Sequence, residues 1–303
     1  MACVAFDLDN TLGFFEVVNA LAPMWSVEYI SAPDQHVYNA PVNISYPLQN
    51  LLDRAKKIFA DYLLDDANIL STVLRPDLDA MILPLLEAKK SRKVRTVIIY
   101  SNTGVTYSVQ LAKYLIETIY KCPGFFSLTA DHWHPLREND MVNQRPHSQT
   151  YVEPYKTIET LQLLFKKALH TKKAIPLQNI LFVDDRPEKH RLEEQEKDGL
   201  TYLMPKHFRP KITTRHKEYI LFLAFKALSD TGLLRNREYL ESPFCKRNFI
   251  YDAVKKHPIQ NFQELLSHIC TLMSRARSGE VYWTPNTGPI ISGIRTFLNQ
   301  VKP

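Results

Sequence analysis

Residues 4–12 read Val-Ala-Phe-Asp-Leu-Asp-Asn-Thr-Leu, and this stretch decides the fold. Three apolar residues lead into two carboxylates two positions apart, Asp7 and Asp9. A short apolar run bounded by polar residues predicts a buried strand. We therefore expect the acidic pair at the carboxyl end of that strand, where open α/β sheets bind their ligands.

Two further stretches repeat this arrangement of an apolar run followed by a polar pair. One run precedes Ser101 and Asn102, and the other precedes Asp184 and Asp185. Continuous apolar runs rich in β-branched residues are typical of strands that are buried on both faces of a parallel sheet. Because all three polar pairs follow strand ends, they are expected to converge on one crevice.

Helical periodicity separates the predicted strands. Apolar residues recur at helical spacing within residues 48–64, 106–120 and 156–170. Alternating strands and helices indicate a doubly wound α/β fold, with a parallel sheet and helices on both faces. The predicted core spans residues 1–204, with a small cap insert at about residues 14–74.

Residues 205–303 differ from the core in pattern and in charge. Helical apolar spacing occurs within residues 215–234 and 262–273, without strands between them, which predicts a mostly helical appendage. The appendage carries 16 Lys and Arg against 7 Asp and Glu, whereas the rest of the chain carries 22 against 25. The net charge of +6 therefore comes from the appendage, which indicates a separate surface that could meet an anionic partner.

The composition excludes several classes of protein and site. The four cysteines form no CxxC pair, which indicates reduced thiols rather than a disulfide framework or a zinc site. The sequence opens without a basic secretory segment and contains no apolar run of about 20 residues, the length of a membrane span. We therefore expect an intracellular protein, cytoplasmic or nuclear, without a membrane partner. With only 8 glycines, a glycine-rich phosphate loop is not expected.

The polar groups at the predicted strand ends suit phosphoryl transfer. Mutual repulsion between Asp7 and Asp9 calls for a divalent cation, and Mg²⁺ prefers such oxygen ligands. One carboxylate can attack phosphorus and form an acyl phosphate, while a second can protonate the leaving oxygen. Ser101 can donate a hydrogen bond to a phosphate oxygen, and Lys156 can supply a positive charge.

The same stretches resemble the motifs of the haloacid dehalogenase (HAD) superfamily. Residues 6–12 resemble its first motif, residues 98–102 its second, and residues 181–185 its fourth. Lys156, at the head of a predicted helix, resembles the third motif, and residues 74–78 resemble the helix that usually precedes the second. The resemblance covers roughly two-thirds of the chain and implies a Rossmann-like core with Mg²⁺-dependent phosphatase chemistry.

The resemblance implies two roles for the acidic pair of the first motif. Asp7 would be the nucleophile and a metal ligand. Asp9 would be the general acid and base, and its backbone carbonyl would also bind the metal. Members that cleave carbon–halogen bonds generally lack the second acid, so Asp9 favours hydrolysis of a phosphate ester.

The other motifs would bind the phosphoryl group and the cation. The resemblance implies that Ser101, Asn102 and Lys156 bind the transferring phosphoryl group. It implies that Asp184 and Asp185 hold Mg²⁺, one directly and one through water.

Two further sets of residues leave alternatives open. Lys166 and Lys167 are rivals for the role of Lys156, although their position within a helix favours solvent exposure. The loop before Lys156 carries a polar cluster, which could be an ordinary loop, a zinc site or a contact with a second anionic group of a substrate through Arg137 or Arg145. That cluster consists of His132, His134, Arg137, Arg145 and His147.

The size of the insert guides the expected substrate. A small cap leaves the crevice open, which favours a macromolecular substrate, and the HAD relatives include phosphatases that act on proteins. We therefore expect a phosphoprotein substrate. Relatives that act on the RNA polymerase tail usually carry Glu at the position of Asn10, so this sequence departs from their first motif there.

Two alternative functions draw on the appendage. Its basic residues alternate with aromatic ones, a pattern that can bind phosphate backbones and stacked bases, so a phosphatase acting on nucleic-acid ends is one alternative. These residues are Arg235, Arg237, Tyr239, Phe244, Lys246, Arg247, Phe249, Tyr251, Lys255 and Lys256. The other alternative is a non-enzymatic HAD-fold scaffold, which would dock onto a partner through Phe222, Phe225 and Leu228.

Overall fold

A five-stranded parallel sheet organises the computed structural model, which describes residues 1–21, 24–25, 44–103, 105–132, 134–137, 156–185, 199–242 and 288–301. The strands follow the order β3-β2-β1-β4-β5, and each pairs in parallel with its neighbours. Their bounds are Ala2–Phe6 (β1), Val94–Tyr100 (β2), Phe126–Ala130 (β3), Ile180–Val183 (β4) and Thr201–Leu203 (β5). This sheet, with helices between its strands, confirms the predicted α/β class.

Helices connect and flank the strands, and several begin at side-chain caps. The Thr157 side chain accepts a hydrogen bond from the backbone N–H of Thr160, and Ser45 and Thr213 cap two other helices in the same way. The helices are α1 (Glu16–Leu21), α2 (Tyr46–Asp65), α3 (Ala67–Val73), α4 (Asp79–Lys90), α5 (Thr106–Ile119), α6 (Ile158–Ala168), α7 (Thr214–Asp230), α8 (Arg237–Glu241) and α9 (Gly288–Gln300). The predicted helix within residues 262–273 lies outside the described residues.

The chain divides into two compact units, at points other than the predicted boundary at residue 204. The first unit comprises Met1–Phe14, Leu74–Arg209 and Trp283–Pro303, and the second comprises Phe15–Val73 and Pro210–Tyr282. The predicted insert and most of the predicted appendage therefore share one unit. Helix α9, although it lies near the end of the chain, belongs to the unit that contains the sheet.

The first unit is built around the sheet. One face of β1, β2 and β4 packs against the apolar side of α6, which contributes Leu161, Leu164 and Phe165 to the core. Helix α9 packs against α4 and the edge strand β5. Gly293 permits this approach, because a Cβ atom there would lie 2.4 Å from Leu203 Cδ2. The sheet is thereby covered by helices from distant parts of the sequence.

The second unit is helical in its described part. Helices α2 and α7 pack against each other, and α1 and α3 pack against α7. The Trp25 and Phe59 rings lie 4.8 Å apart within this core. Among the described residues, no helix combines the length and the apolar character that crossing a membrane would require.

Candidate functional site

The crevice forms where three adjacent strands end. Asp7, Ser101 and Asp184 are the first residues after β1, β2 and β4. Each backbone N–H still donates to the neighbouring strand, so the sheet itself fixes where the side chain starts. These bonds are Asp7 N to Val183 O (2.9 Å), Ser101 N to Ala130 O (2.9 Å) and Asp184 N to Leu203 O (3.1 Å).

The ammonium group of Lys156 joins two of the carboxylates. Its Nζ donates to Asp7 Oδ1 and to Asp184 Oδ2, each over 2.6 Å. The Lys156 side chain is only 2% exposed, so water does not screen these ion pairs. The structure therefore brings together residues that are 149 and 28 positions apart in the sequence.

Aromatic side chains and a helix cap position Lys156. The backbone N–H of Thr157 donates to the Tyr100 hydroxyl over 3.2 Å, and the Thr157 side chain caps α6. The ammonium lies 5.8 Å from the Tyr100 ring centroid and 5.3 Å from that of Phe182, within the range of cation–π attraction. The two rival lysines lie elsewhere: Lys166 and Lys167 occupy the last turn of α6, and Lys167 is exposed.

Asp185 adds a third carboxylate to the site. One oxygen from each of Asp7, Asp184 and Asp185 lies within 4.8 Å of the other two. Mg²⁺ binds six oxygens at about 2.1 Å, so its ligand oxygens stand roughly 3–4 Å apart. Three carboxylate oxygens at this spacing fit a shared cation after a small adjustment, and an all-oxygen set suits Mg²⁺.

The charge balance of the site favours a divalent cation. When all three aspartates are ionised, they and Lys156 leave two negative charges in a buried crevice, and buried charge is costly unless it is compensated. Burial raises the pKa of Asp7 to about 7; Lys156 opposes this shift, and Asp184 and Asp185 reinforce it. Burial alone would lower the pKa of Lys156, but the attraction of Asp184 and Asp7 outweighs it and raises that pKa.

Asp9 occupies the turn after Asp7. It is half-buried and forms an isolated bridge with Gly13, while Asn10 adopts a left-handed conformation at φ 62°. Asn10 N donates to Gly13 O over 2.6 Å, which closes the turn. Asp9 is not among the three grouped carboxylates, so its roles as general acid and as a carbonyl ligand stay predictions.

The loop after β2 is held by a buried arginine. Arg137 donates to the backbone carbonyls of Ser101 and Asp131 and to Asn102 Oδ1, the last over 2.6 Å. Its guanidinium carbon lies 4.8 Å from the Tyr100 ring centroid. The Arg137 side chain is 1% exposed, and its hydrogen bonds hold the loop that carries Ser101 and Asn102.

Two of the remaining members of the polar cluster, His132 and His134, are among the residues that the structure describes. His132 is buried and His134 is half-buried, and neither belongs to a group of three potential metal ligands among the described residues. Burial lowers the pKa of His134. Arg145 and His147 lie outside the described residues.

A second buried arginine, Arg75, secures the turn of the first motif. It donates to Thr11 O over 2.9 Å, to Lys206 O over 3.1 Å and to Asp77 Oδ1 over 2.7 Å. Phe208 N also donates to Asn10 O, over 3.0 Å. The segment after β5, which the sequence placed in the appendage, is therefore part of the site. Nothing in its sequence marked it, since the segment takes part through its own backbone groups, Lys206 O and Phe208 N.

Comparison with known proteins adds a likeness in structure. No family model matches the sequence, and no curated protein matches it. Among solved structures, the chain is similar to CbbY from Rhodobacter sphaeroides in complex with phosphate, at a TM-score of 0.34 and 15% identity. That likeness covers 69% of this chain and 88% of the other.

The affinity for Mg²⁺ should rise with pH up to about pH 7. Without the cation, Asp7 holds its proton below about pH 7, and the cation must displace that proton to bind. We expect the association constant to rise by up to about tenfold per pH unit below pH 7 and to level off above it. Titration calorimetry at pH 5.5, 6.5 and 7.5 measures this. Asp7→Asn has no proton to lose at this position, so it should bind Mg²⁺ more weakly and with an affinity that changes less with pH. Equal Mg²⁺ affinity of the unaltered protein at all three pH values would contradict the expectation.

Proposed function

We propose that this chain is a Mg²⁺-dependent phosphatase of the HAD type, which hydrolyses a phosphate monoester through an aspartyl-phosphate on Asp7. The observation that carries the proposal is the Lys156 ammonium, bonded to both Asp7 and Asp184 at the ends of adjacent strands. A buried carboxylate nucleophile needs a cation beside it to bring a phosphate dianion close. Lys156 supplies one such charge, and the three aspartates can hold another.

In the first half of the proposed reaction, an Asp7 carboxylate oxygen attacks phosphorus. The bond between phosphorus and the ester oxygen breaks, and Asp9 donates a proton to the leaving alcohol. The Lys156 ammonium and the Ser101 hydroxyl bind oxygens of the phosphoryl group as its charge is redistributed. Mg²⁺ held by Asp7, Asp184 and Asp185 would supply further neutralisation of that charge.

In the second half, Asp9 acts as the base. It removes a proton from a water molecule, whose oxygen attacks the phosphorus of the aspartyl-phosphate. The bond between Asp7 and phosphorus breaks, inorganic phosphate leaves, and the Asp7 carboxylate is restored. Arg137 and Arg75 contribute by holding the two loops that carry Ser101 and Asp9.

Hydrolysis of an aryl phosphate tests the proposal. We expect turnover with Mg²⁺ and none with chelator, and a decrease of at least about 10³-fold for Asp7→Asn, because an amide is a poor nucleophile. As a matched control, Asp61→Asn makes the same substitution at an exposed carboxylate and should leave turnover unchanged.

A specific phosphatase can ignore small esters, so a binding measurement accompanies the assay. Beryllium fluoride with Mg²⁺ mimics an aspartyl-phosphate and should raise the melting temperature of the unaltered protein. The absence of both turnover and such stabilisation would contradict a phosphoryl site and would favour the non-enzymatic scaffold. For that scaffold, Phe225 and Leu228 are poor docking residues, because both are fully buried within the second unit.

We propose a phosphoprotein as the substrate. The nucleic-acid alternative loses one stacking residue, since Tyr239 is buried and its hydroxyl donates to Met24 O over 2.7 Å. The residues of the pattern from Phe244 onwards lie outside the described residues.

Parallel assays distinguish the two substrate classes. We expect phosphopeptide hydrolysis to exceed that of end-phosphorylated oligonucleotides and to change little between 50 and 200 mM salt. A protein that makes several contacts with a nucleic-acid backbone loses on the order of 10³-fold in affinity over that salt range. Preferential hydrolysis of the oligonucleotide with such a salt dependence would contradict the phosphoprotein proposal while leaving the phosphatase proposal intact.

A further inference from the structure

His207, which lies in none of the four motifs, contacts the candidate metal site. Its Nδ1 is hydrogen-bonded to Asp185 Oδ2, and Arg209 Nε donates to its Nε2 over 2.8 Å. An arginine side chain can only donate hydrogen bonds, so His207 Nε2 is the acceptor. The ring proton therefore resides on Nδ1, and His207 donates it to Asp185.

Both carboxylate oxygens of Asp185 thereby accept hydrogen bonds from other side chains. The Thr11 hydroxyl donates to Oδ1 over 3.2 Å and accepts from the Asp185 backbone N–H over 3.1 Å. His207 donates to Oδ2. Two donors on separate chain segments therefore hold the two oxygens of this carboxylate.

The backbone on both sides of His207 is fixed to the first-motif turn. Lys206 O accepts from Arg75, and Phe208 N donates to Asn10 O. The Phe208 side chain is itself buried, which anchors the segment. The contact between His207 and Asp185 is therefore a consequence of the fold, unlike a contact between two mobile surface side chains.

We infer that His207 is a positioning residue, which orients Asp185 for the cation and so sets the affinity for Mg²⁺. This inference rests on the proposed function, because it assumes that Asp185 helps to hold Mg²⁺. Side chains that hydrogen-bond to metal ligands typically alter metal affinity by 10–100-fold when they are removed. Sequence motifs do not reveal such a residue, because it acts on a ligand that is 22 positions away.

Titration calorimetry with Mg²⁺, on the full chain, tests the inference. We expect His207→Ala to weaken binding by about 10–100-fold. His207→Asn retains an N–H near the Nδ1 position and should bind within about threefold of the unaltered protein. Met204→Ala, at a side chain 59% exposed in the same segment, serves as the control and should bind as the unaltered protein does. At saturating Mg²⁺, the turnover of His207→Ala should recover, which a general structural defect would not allow.

A double-mutant cycle with Asp185→Asn shows whether His207 acts through Asp185. If it does, adding His207→Ala to Asp185→Asn should weaken Mg²⁺ binding by less than about threefold further, because the carboxylate that His207 orients is already gone. Additive losses, or unchanged binding by His207→Ala, would overturn the inference. Failure of the unaltered protein to bind Mg²⁺ would instead overturn the proposed function, so the two outcomes are distinct.

Discussion

The paired hydrogen bonds from Lys156 to Asp7 and Asp184 are the interaction on which the rest of the site depends. Both carboxylates are buried at the ends of neighbouring strands, and their repulsion would be uncompensated without an ammonium group between them. The parallel pairing of β1 with β4 brings the two aspartates together, and the capped start of α6 supplies the lysine. Sheet register and one buried charge thus define where a phosphate could react.

Two buried arginines give this crevice its rigidity. Arg75 donates to backbone carbonyls that follow β1 and β5, and Arg137 donates to backbone carbonyls that follow β2 and β3. Hydrogen bonds to its backbone hold a loop in place independently of the conformations of its own side chains. This suits a site that must present hydroxyl and carboxylate groups in fixed positions. His207 extends the same principle to a side chain, since it holds Asp185 from the edge of the sheet.

The sheet was predictable from the sequence because its signals are local. Each buried strand is a short apolar run, and each polar pair follows directly, so the pattern around Asp7 and Asp184 could be read without tertiary information. Most partners of Arg75 and Arg137 are backbone groups, which leave no pattern in the sequence, and the partner of His207 lies 22 positions away. For that reason the sequence left the role of Arg137 open between an ordinary loop residue and a substrate contact. The position of α9 could not be predicted from the sequence either, because it depends on the close packing of Gly293 against Leu203 at the edge of the sheet.

The most direct test of the proposed mechanism is to identify the residue that carries phosphate during turnover. The protein would be quenched in acid while it hydrolyses a phosphate ester with Mg²⁺, reduced with borohydride, and mapped by mass spectrometry. Reduction converts an aspartyl-phosphate to homoserine, and we predict this change at Asp7 alone. Phosphate-ester turnover with no modification at Asp7, or with phosphate carried by another residue, would contradict it.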